Sequence, residues 1–355
     1  MTLPTTIVHL GVTPRDMPLI QTFGIAGGAT EVVASALITV TLADGTLGFG
    51  EASPLPAFNG ETRERTVEAV HAARASVEGE DARAWRRIAA RLGGGGAARC
   101  AIETAVLDAL AKRAGMPLWA FFGGAERVLS TDVTIPIASV DEAARAARER
   151  AAQGFGRLKV KVGGPSAGDD LARLLAIREA APAAALLLDG NGGLRADAAL
   201  DLLARLRARG VVPILFEQPV PEDDLDGLAE VARRGGVPVA ADESVGTAAD
   251  ALRVAALGAA QVVNIKLMKS GVAEALAIAA VARAAGLGLM IGGMIEGRMA
   301  MSMSSCFAAG LGGFAFVDLD TPLFLAADAF AGGHAQRGPV IDLSPIEAGH
   351  GAFAR

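Results

Sequence analysis

Lys159 and Lys161 lie two residues apart in "RLKVKVGG", residues 157–164, among Leu158, Val160 and Val162. Side chains alternate across a strand, so both lysines leave one face and the aliphatics the other. Lysine is seldom fully buried, so this pair asks for a charged surrounding. Three carboxylates provide one. Asp189 in "ALLLDG", Glu217 in "ILFEQP" and Asp242 in "PVAADES" each end a short apolar run. Carboxylates without a neighbouring histidine or cysteine make a hard, all-oxygen site that suits Mg2+, with water and substrate oxygens completing the coordination. Taken singly, each acid could equally cap the helix after its strand; three in succession favour a metal. Lys266, in "VVNIKL", follows in the same style. A substrate carboxylate on the metal would have its α-carbon between Lys161 and Lys266. A nearby cation and partial burial lower a lysine pKa, so one could take the α-proton and the other return it to the opposite face. That is 1,1-proton transfer, a racemisation or epimerisation. Lys159 would stay charged and grip the carboxylate. The plainer alternative is a set of structural salt bridges.

The elements that must carry these residues are legible as a period. From Thr134 the steps to Lys161, Asp189, Glu217, Asp242, Lys266, Met294 and Asp318 are 27, 28, 28, 25, 24, 28 and 24 residues. Each polar residue ends a β-branched run, and Ala/Leu/Arg-rich helical segments lie between. Eight strand–helix units at this spacing predict a (β/α)-barrel, whose active sites form at the C-terminal strand ends. After the eighth strand, "TPLFLAADAF" and a Gly-rich tail carry no strong helix signal, so the last helix is expected to be lost or displaced and the tail to return to the first domain. Ahead of the barrel, residues 3–10, 31–42 and 46–52 read as strands, with "ADG" turning between the last two. Residues 62–78 and 97–114 read as amphipathic helices, the second with a stripe of Ile102, Ala105, Val106, Ala109 and Leu110. These make an α+β domain over residues 1–125.

The bulk numbers exclude several classes. With 355 residues, 52% apolar and 20% charged, the chain is globular. A net charge of −6 without a basic block argues against nucleic acid as a partner. Two distant cysteines, Cys100 and Cys306, make neither a disulfide framework nor a thiolate metal site. No signal peptide is visible, and the apolar stretch 272–297 is broken by charges, so neither secretion nor a membrane partner is expected; the expected location is cytoplasmic.

At "KVK" (159–161), "DGN" (189–191), "EQP" (217–219), "DES" (242–244) and "NIKLMKSG" (264–271), the chain resembles the enolase superfamily, in its muconate-lactonizing-enzyme subgroup. The resemblance runs through nearly the whole chain. It implies an α/β fold, a modified TIM barrel (β/α)7β over residues 126–325. An N-terminal capping domain, 1–125, would be completed by the C-terminal segment 326–355. It further implies a Mg2+ enzyme that abstracts a proton α to a carboxylate through an enediolate, with Asp189, Glu217 and Asp242 as metal ligands and Lys161 and Lys266 as acid and base. Barrels of this type often form homo-oligomers. A branch that uses a histidine base is disfavoured, because His9, His71, His334 and His350 all lie away from the strand ends.

Within the subgroup, "FVDLDTPL" (316–323) separates the outcomes. The dipeptide epimerases carry an Asp-x-Asp that holds the substrate's α-ammonium, matched here by Asp318 and Asp320. This favours a dipeptide as the small-molecule substrate. N-acylamino acid racemase or o-succinylbenzoate synthase, a cycloisomerase, and a non-catalytic carboxylate-binding barrel remain the alternatives. Family members acting on Ala-Glu carry an Arg in a capping loop, here "PLIQTFGIAGGATEV" (18–32), which has none. Phe23, Ile25 and Phe58 could line an apolar lid instead, and Met294 would face the second side chain. A small or hydrophobic C-terminal residue is therefore expected. Glu296 and Arg298 are expected to be peripheral or paired with each other.

Overall fold

The computed structural model describes residues 2–25, 28–163 and 167–355. Its first sheet is antiparallel, β1 (Ile7–Ile25), β2 (Gly28–Leu42) and β3 (Leu47–Ala52) in that order. The "ADG" turn forms as expected, with Thr46 N donating to Asp44 Oδ1 and Gly45 at φ +87°. The segment expected as a loop, 18–32, is instead mostly the far end of the β1–β2 hairpin, in register from Phe23↔Thr30 to Ile25↔Gly28. Pro18 explains the misreading. It lacks an N–H, the register slips there, and its carbonyl accepts from Ala326 N at 2.8 Å. The side chains of Phe23 and Ile25 lie outside the described residues.

Helix α1 (Arg63–Val77) opens on Thr62, whose side chain accepts from Arg65 N. Helix α2 (Gly96–Arg113) departs from the amphipathic expectation: Cys100, Glu103, Thr104, Leu107 and Asp108 are buried along with the apolar stripe. The cause is its position between sheet and barrel. A Cβ on Gly48 or Gly50 of β3 would come within 2.0 Å of Ala105 O or 2.1 Å of Ala101 O. On its other side, Glu103 Oε2 accepts from Ala273 N at 2.8 Å.

The barrel alternates strands and helices: β4 (Val133–Ile135), α3 (Val140–Ala152), β5 (Arg157–Lys161), α4 (Ala167–Ala180), β6 (Ala185–Asp189), α5 (Ala196–Arg207), β7 (Leu215–Glu217) and α6 (Leu225–Arg234) come first. Then follow β8 (Val239–Ala241), α7 (Ala248–Leu257), β9 (Val262–Lys266), α8 (Val272–Ala284), β10 (Gly288–Gly292), α9 (Arg298–Leu311) and β11 (Phe314–Val317). The eight strands are parallel and in sequence order. Asp132 N donates to Val317 O at 2.9 Å, joining the first strand's entry to the last. This is a modified TIM barrel, (β/α)7β, because among the described residues no α-helix follows β11, only the single 3-10 turn Thr321–Phe324. Leu187, Leu215, Ala240, Val262 and Met290 pack with Ile214 and Phe316 as its apolar floor.

The tail turns back. Val340–Asp342 pairs with Val128–Ser130, and Phe330–Gly332 with Ala352–Ala354. Leu118 N donates to Gly349 O, and His350 N to Asp108 Oδ1. Among the described residues, no helix is long and apolar enough to cross a membrane.

Candidate active site

Register carries the charged residues to one level. Lys161 of β5 stands opposite Asp189 of β6, and Asp189 opposite Glu217 of β7. Asp242 follows β8 directly, Lys266 ends β9, and Asp318 and Asp320 follow β11. Thr134, Lys159, Lys161, Lys266, Met294, Asp318 and Asp320 line a cleft of about 440 Å³, walled also by Leu55, Phe58 and Ile295. Asp189, Glu217 and Asp242 lie beneath, essentially sealed from solvent.

Lysines stitch the acids together. Lys159 Nζ, only 1% exposed as a residue, lies 3.0 Å from Asp189 Oδ2, 2.8 Å from Glu217 Oε2 and 2.6 Å from Asp318 Oδ2. Lys161 Nζ donates to Asp189 Oδ2 at 2.6 Å and Asn191 Oδ1 at 2.9 Å. Lys266 Nζ is 2.7 Å from Asp242 Oδ2, with the Phe58 ring centroid 5.3 Å away. Burial disfavours charge on Asp189, but Lys159 and then Lys161 hold it below the usual carboxylate range. Burial likewise opposes the charge of Asp242, yet Lys266 and then Lys269 keep it low. Glu217 behaves oppositely. Burial and then Asp189 push it up to about 8.

Lys266 differs from the sequence expectation that one of the paired lysines has a depressed pKa. Burial works most strongly against the Lys266 ammonium, but Asp242, together with Glu217 and Glu243, outweighs it and raises the pKa above the ordinary lysine value. Lys159 is raised for the same reason, by Asp189 first and then Asp318. A neutral Lys266 therefore requires the charge of Asp242, Glu217 and Glu243 to be engaged elsewhere.

Does the donor set fit Mg2+? Among the described residues no three carboxylates converge as they stand into a metal cluster, since ammonium groups sit between them. The chemistry nevertheless fits. All three acids are buried oxygen donors, and Glu217 Oε2 and Asp242 Oδ2 accept no hydrogen bond, having only a lysine charge beside them. A divalent cation can replace that charge, and Asp189, Glu217 and Asp242 are the residues that would hold it.

At the eighth strand, carboxyl groups outnumber cations. Asp320 Oδ2 accepts from Thr134 N at 2.6 Å, and burial, then Asp318, pushes Asp320 up to about 7. Asp132 is buried behind them with neither oxygen offered a donor, and burial followed by Asp318 raises it well above the carboxylate range. The three acids have Lys159 as their shared cation.

Several participants escape a reading of strand ends. Lys269 Nζ, turned back by the short helix Leu267–Ser270, donates to Asp242 Oδ1 at 2.9 Å and to Asn264 O at 2.9 Å. Asn264 Nδ2 donates to Glu217 Oε1 at 2.8 Å. Asn191 and Gln218 take positive φ of 40° and 31° immediately after Asp189-Gly190 and Glu217, a sparsely populated backbone; Asn191 reaches the cleft, while Gln218 Oε1 accepts from Asp242 N at 2.9 Å. Lys269 and Asn264 sit inside "NIKLMKSG", which was their only signal. Glu296 and Arg298 do not pair. Glu296 is buried and accepts from Met294 N at 2.6 Å, while Arg298 donates from its side chain to His334 O and from its backbone N to Asp328 Oδ2. The turn before α9 sends them to opposite sides.

Family comparisons agree with this architecture. Residues 7–123 match the mandelate racemase/muconate lactonizing enzyme N-terminal domain, and residues 141–352 the enolase C-terminal domain-like family. An aromatic dipeptide epimerase from Herpetosiphon aurantiacus is 49% identical, over 98% of this chain and 99% of its own. A mandelate racemase/muconate lactonizing enzyme structure from Sorangium cellulosum superposes with a TM-score of 0.95 at 62% identity, covering 99% of this chain and 100% of that one. The Enterococcus faecalis dipeptide epimerase, complexed with Mg and L-Leu-L-Tyr, gives 0.94 at 32% identity over 99% and 100%. A match of both domains across the chain, on a barrel with this arrangement of lysines and acids, places the protein in the mandelate racemase/muconate lactonizing enzyme family of the enolase superfamily.

Proposed function

We propose that the protein is a Mg2+-dependent dipeptide epimerase that inverts the α-carbon of the C-terminal residue, with a preference for hydrophobic side chains. The observation that carries this is one cleft holding Lys161 from the second strand, Lys266 from the sixth, and Asp318 with Asp320 after the eighth. Relatives named for aromatic and hydrophobic dipeptides support it. So does the cleft's wall of Leu55, Phe58, Met294 and Ile295, with no arginine among the described residues that line it to pair an acidic side chain.

In this reading Asp318 and Asp320 take the substrate's ammonium, whose charge offsets the carboxylate surplus there. Lys159 carries a fixed positive charge toward the substrate carboxylate. The chemistry supplied by a bound Mg2+ is positive charge on that carboxylate, which makes the neighbouring C–H more acidic. One of Lys161 and Lys266 removes the α-proton from its face, and the other delivers a proton to the opposite face. Phe58 and Ile295 limit water around the ammonium groups, so that the proton returned is the lysine's own.

The test is mass spectrometry of mixed L,L-dipeptides with enzyme and Mg2+ in D2O. A one-dalton gain at the C-terminal α-carbon, strongest for hydrophobic residues, is expected. Turnover of L-Ala-L-Glu far above that of L-Ala-L-Leu and L-Ala-L-Phe would overturn the preference. No label in any dipeptide would overturn the activity.

A further inference from the structure

The end of β3 does two jobs within eight residues. Leu55 and Phe58 line the cleft, while Glu51 and Ser53 face away from it into the joint with the barrel. Glu51, 1% exposed, accepts from Gly297 N at 2.7 Å and from Ala300 N at 3.0 Å, filling the N-terminus of α9. Ser53, fully buried, donates through Oγ to Ile295 O at 2.7 Å. Ala300 belongs to the first turn of α9, and Ile295 and Gly297 to the turn whose Met294 and Ile295 also line the cleft. That turn has barrel-internal ties too. Thr321 Oγ1 donates to Glu296 O at 3.0 Å, and Glu296 Oε1 accepts from Met294 N. These fix its shape; among the described residues, the hydrogen bonds that join it to the segment carrying Leu55 and Phe58 are those of Glu51 and Ser53.

We propose that Glu51 and Ser53 are positioning residues for substrate selection: they hold the 293–297 turn at a fixed distance from Leu55 and Phe58, and so set the width of the apolar cleft that receives the C-terminal side chain. This rests on the epimerase reading. The charge cluster stands on the barrel strands and touches neither residue. Loosening the joint should therefore alter how a bulky side chain is held without altering proton transfer. Glu51→Gln keeps the shape of the side chain but sets an amide N–H against one of two backbone N–H groups. Ser53→Ala removes one bond and leaves the packing nearly intact.

The experiment measures α-deuterium exchange by the Mg2+-loaded enzyme and both variants, with L-Ala-L-Phe and L-Ala-L-Ala. For each variant, KM for L-Ala-L-Phe should rise about tenfold, kcat should stay within about twofold, and L-Ala-L-Ala should be little affected. The ratio of kcat/KM for the two substrates therefore falls. If both variants keep that ratio, or lose kcat equally on both substrates along with melting temperature, the residues are merely structural and the inference fails. The unsubstituted protein separates the two levels. If it exchanges neither dipeptide, the epimerase reading itself falls and takes this one with it.

Discussion

At the scale of single residues, the site is a balanced set of buried charges in which each group decides the state of its neighbour. Lys266 keeps its proton because Asp242 lies 2.7 Å away, and Asp242 stays ionised because of Lys266 and Lys269. Two-lysine chemistry has a signature that separates it from structural ion pairing. Lys161→Met and Lys266→Met should each lower epimerisation by roughly 10²–10⁴-fold. Each should still wash deuterium into one stereoisomer, a different one in each variant. Loss of exchange from both isomers in both variants would contradict opposite-face roles. Asp318→Asn should abolish dipeptide turnover while sparing any N-acyl substrate, checked with matched L-Ala-L-Phe and N-acetyl-L-Phe; equal losses would remove the ammonium role. Asp189, Glu217, Asp242 and the lysines were legible because alternation and a steady strand period give them a common side. Asn191, Gln218 and Lys269 were not, since turns after the strands aim them, and no period governs a turn.

Between elements, the joints are made by remote carboxylates and by close backbone contact. Glu103 of α2 fills the N-terminus of α8, as Glu51 of β3 fills that of α9. Burial pushes Glu51 up to about 8 and Glu103 to about 7, and Glu296 beside Glu51 also reaches about 7 by burial. All three are raised above an ordinary value of 4.5, so the folded protein binds these protons more tightly than the unfolded chain. Stability should thus decline as pH rises from about 4.5 through about 8, then level off. Melting temperatures between pH 6 and 9 will check this, with Glu103→Gln flattening the slope; a rise across that range would refute it. The β3–α2 contact gives a second expectation. Gly50→Ala must push a methyl into Ala101 O and should cost about 2–3 kcal/mol in denaturant unfolding. Strands and helices were readable from composition and period. The burial of α2 on every side was not, because its polar residues, Glu103 and Asp108, signal solvent until their distant partners are known.

Over the whole molecule, the working space lies where a capping sheet and a barrel mouth meet, and the charges beneath it are complete only in company. Added Mg2+ should raise the melting temperature, and chelation should abolish exchange in a way that Mg2+ restores. A fully active chelated enzyme would exclude the carboxylates from metal binding. The count of eight strands and the missing last helix could be seen in the sequence, but the long-range fastening could not. Asp108 takes its bonds from Phe49 N and from His350 N, 242 residues further on, and pairing at such separation leaves no local mark. That fastening also bears on how the protein is made. A ribosome delivers the first sheet and α2 long before residues 340–350, so the nascent cap must wait, with Asp108 Oδ1 and the Val128–Ser130 edge unmatched, until the tail emerges. Maturation of the cap is thereby tied to the synthesis of residues 340–350, and a chain released short of His350 would present an unfinished cap to the quality-control machinery however well its barrel had formed.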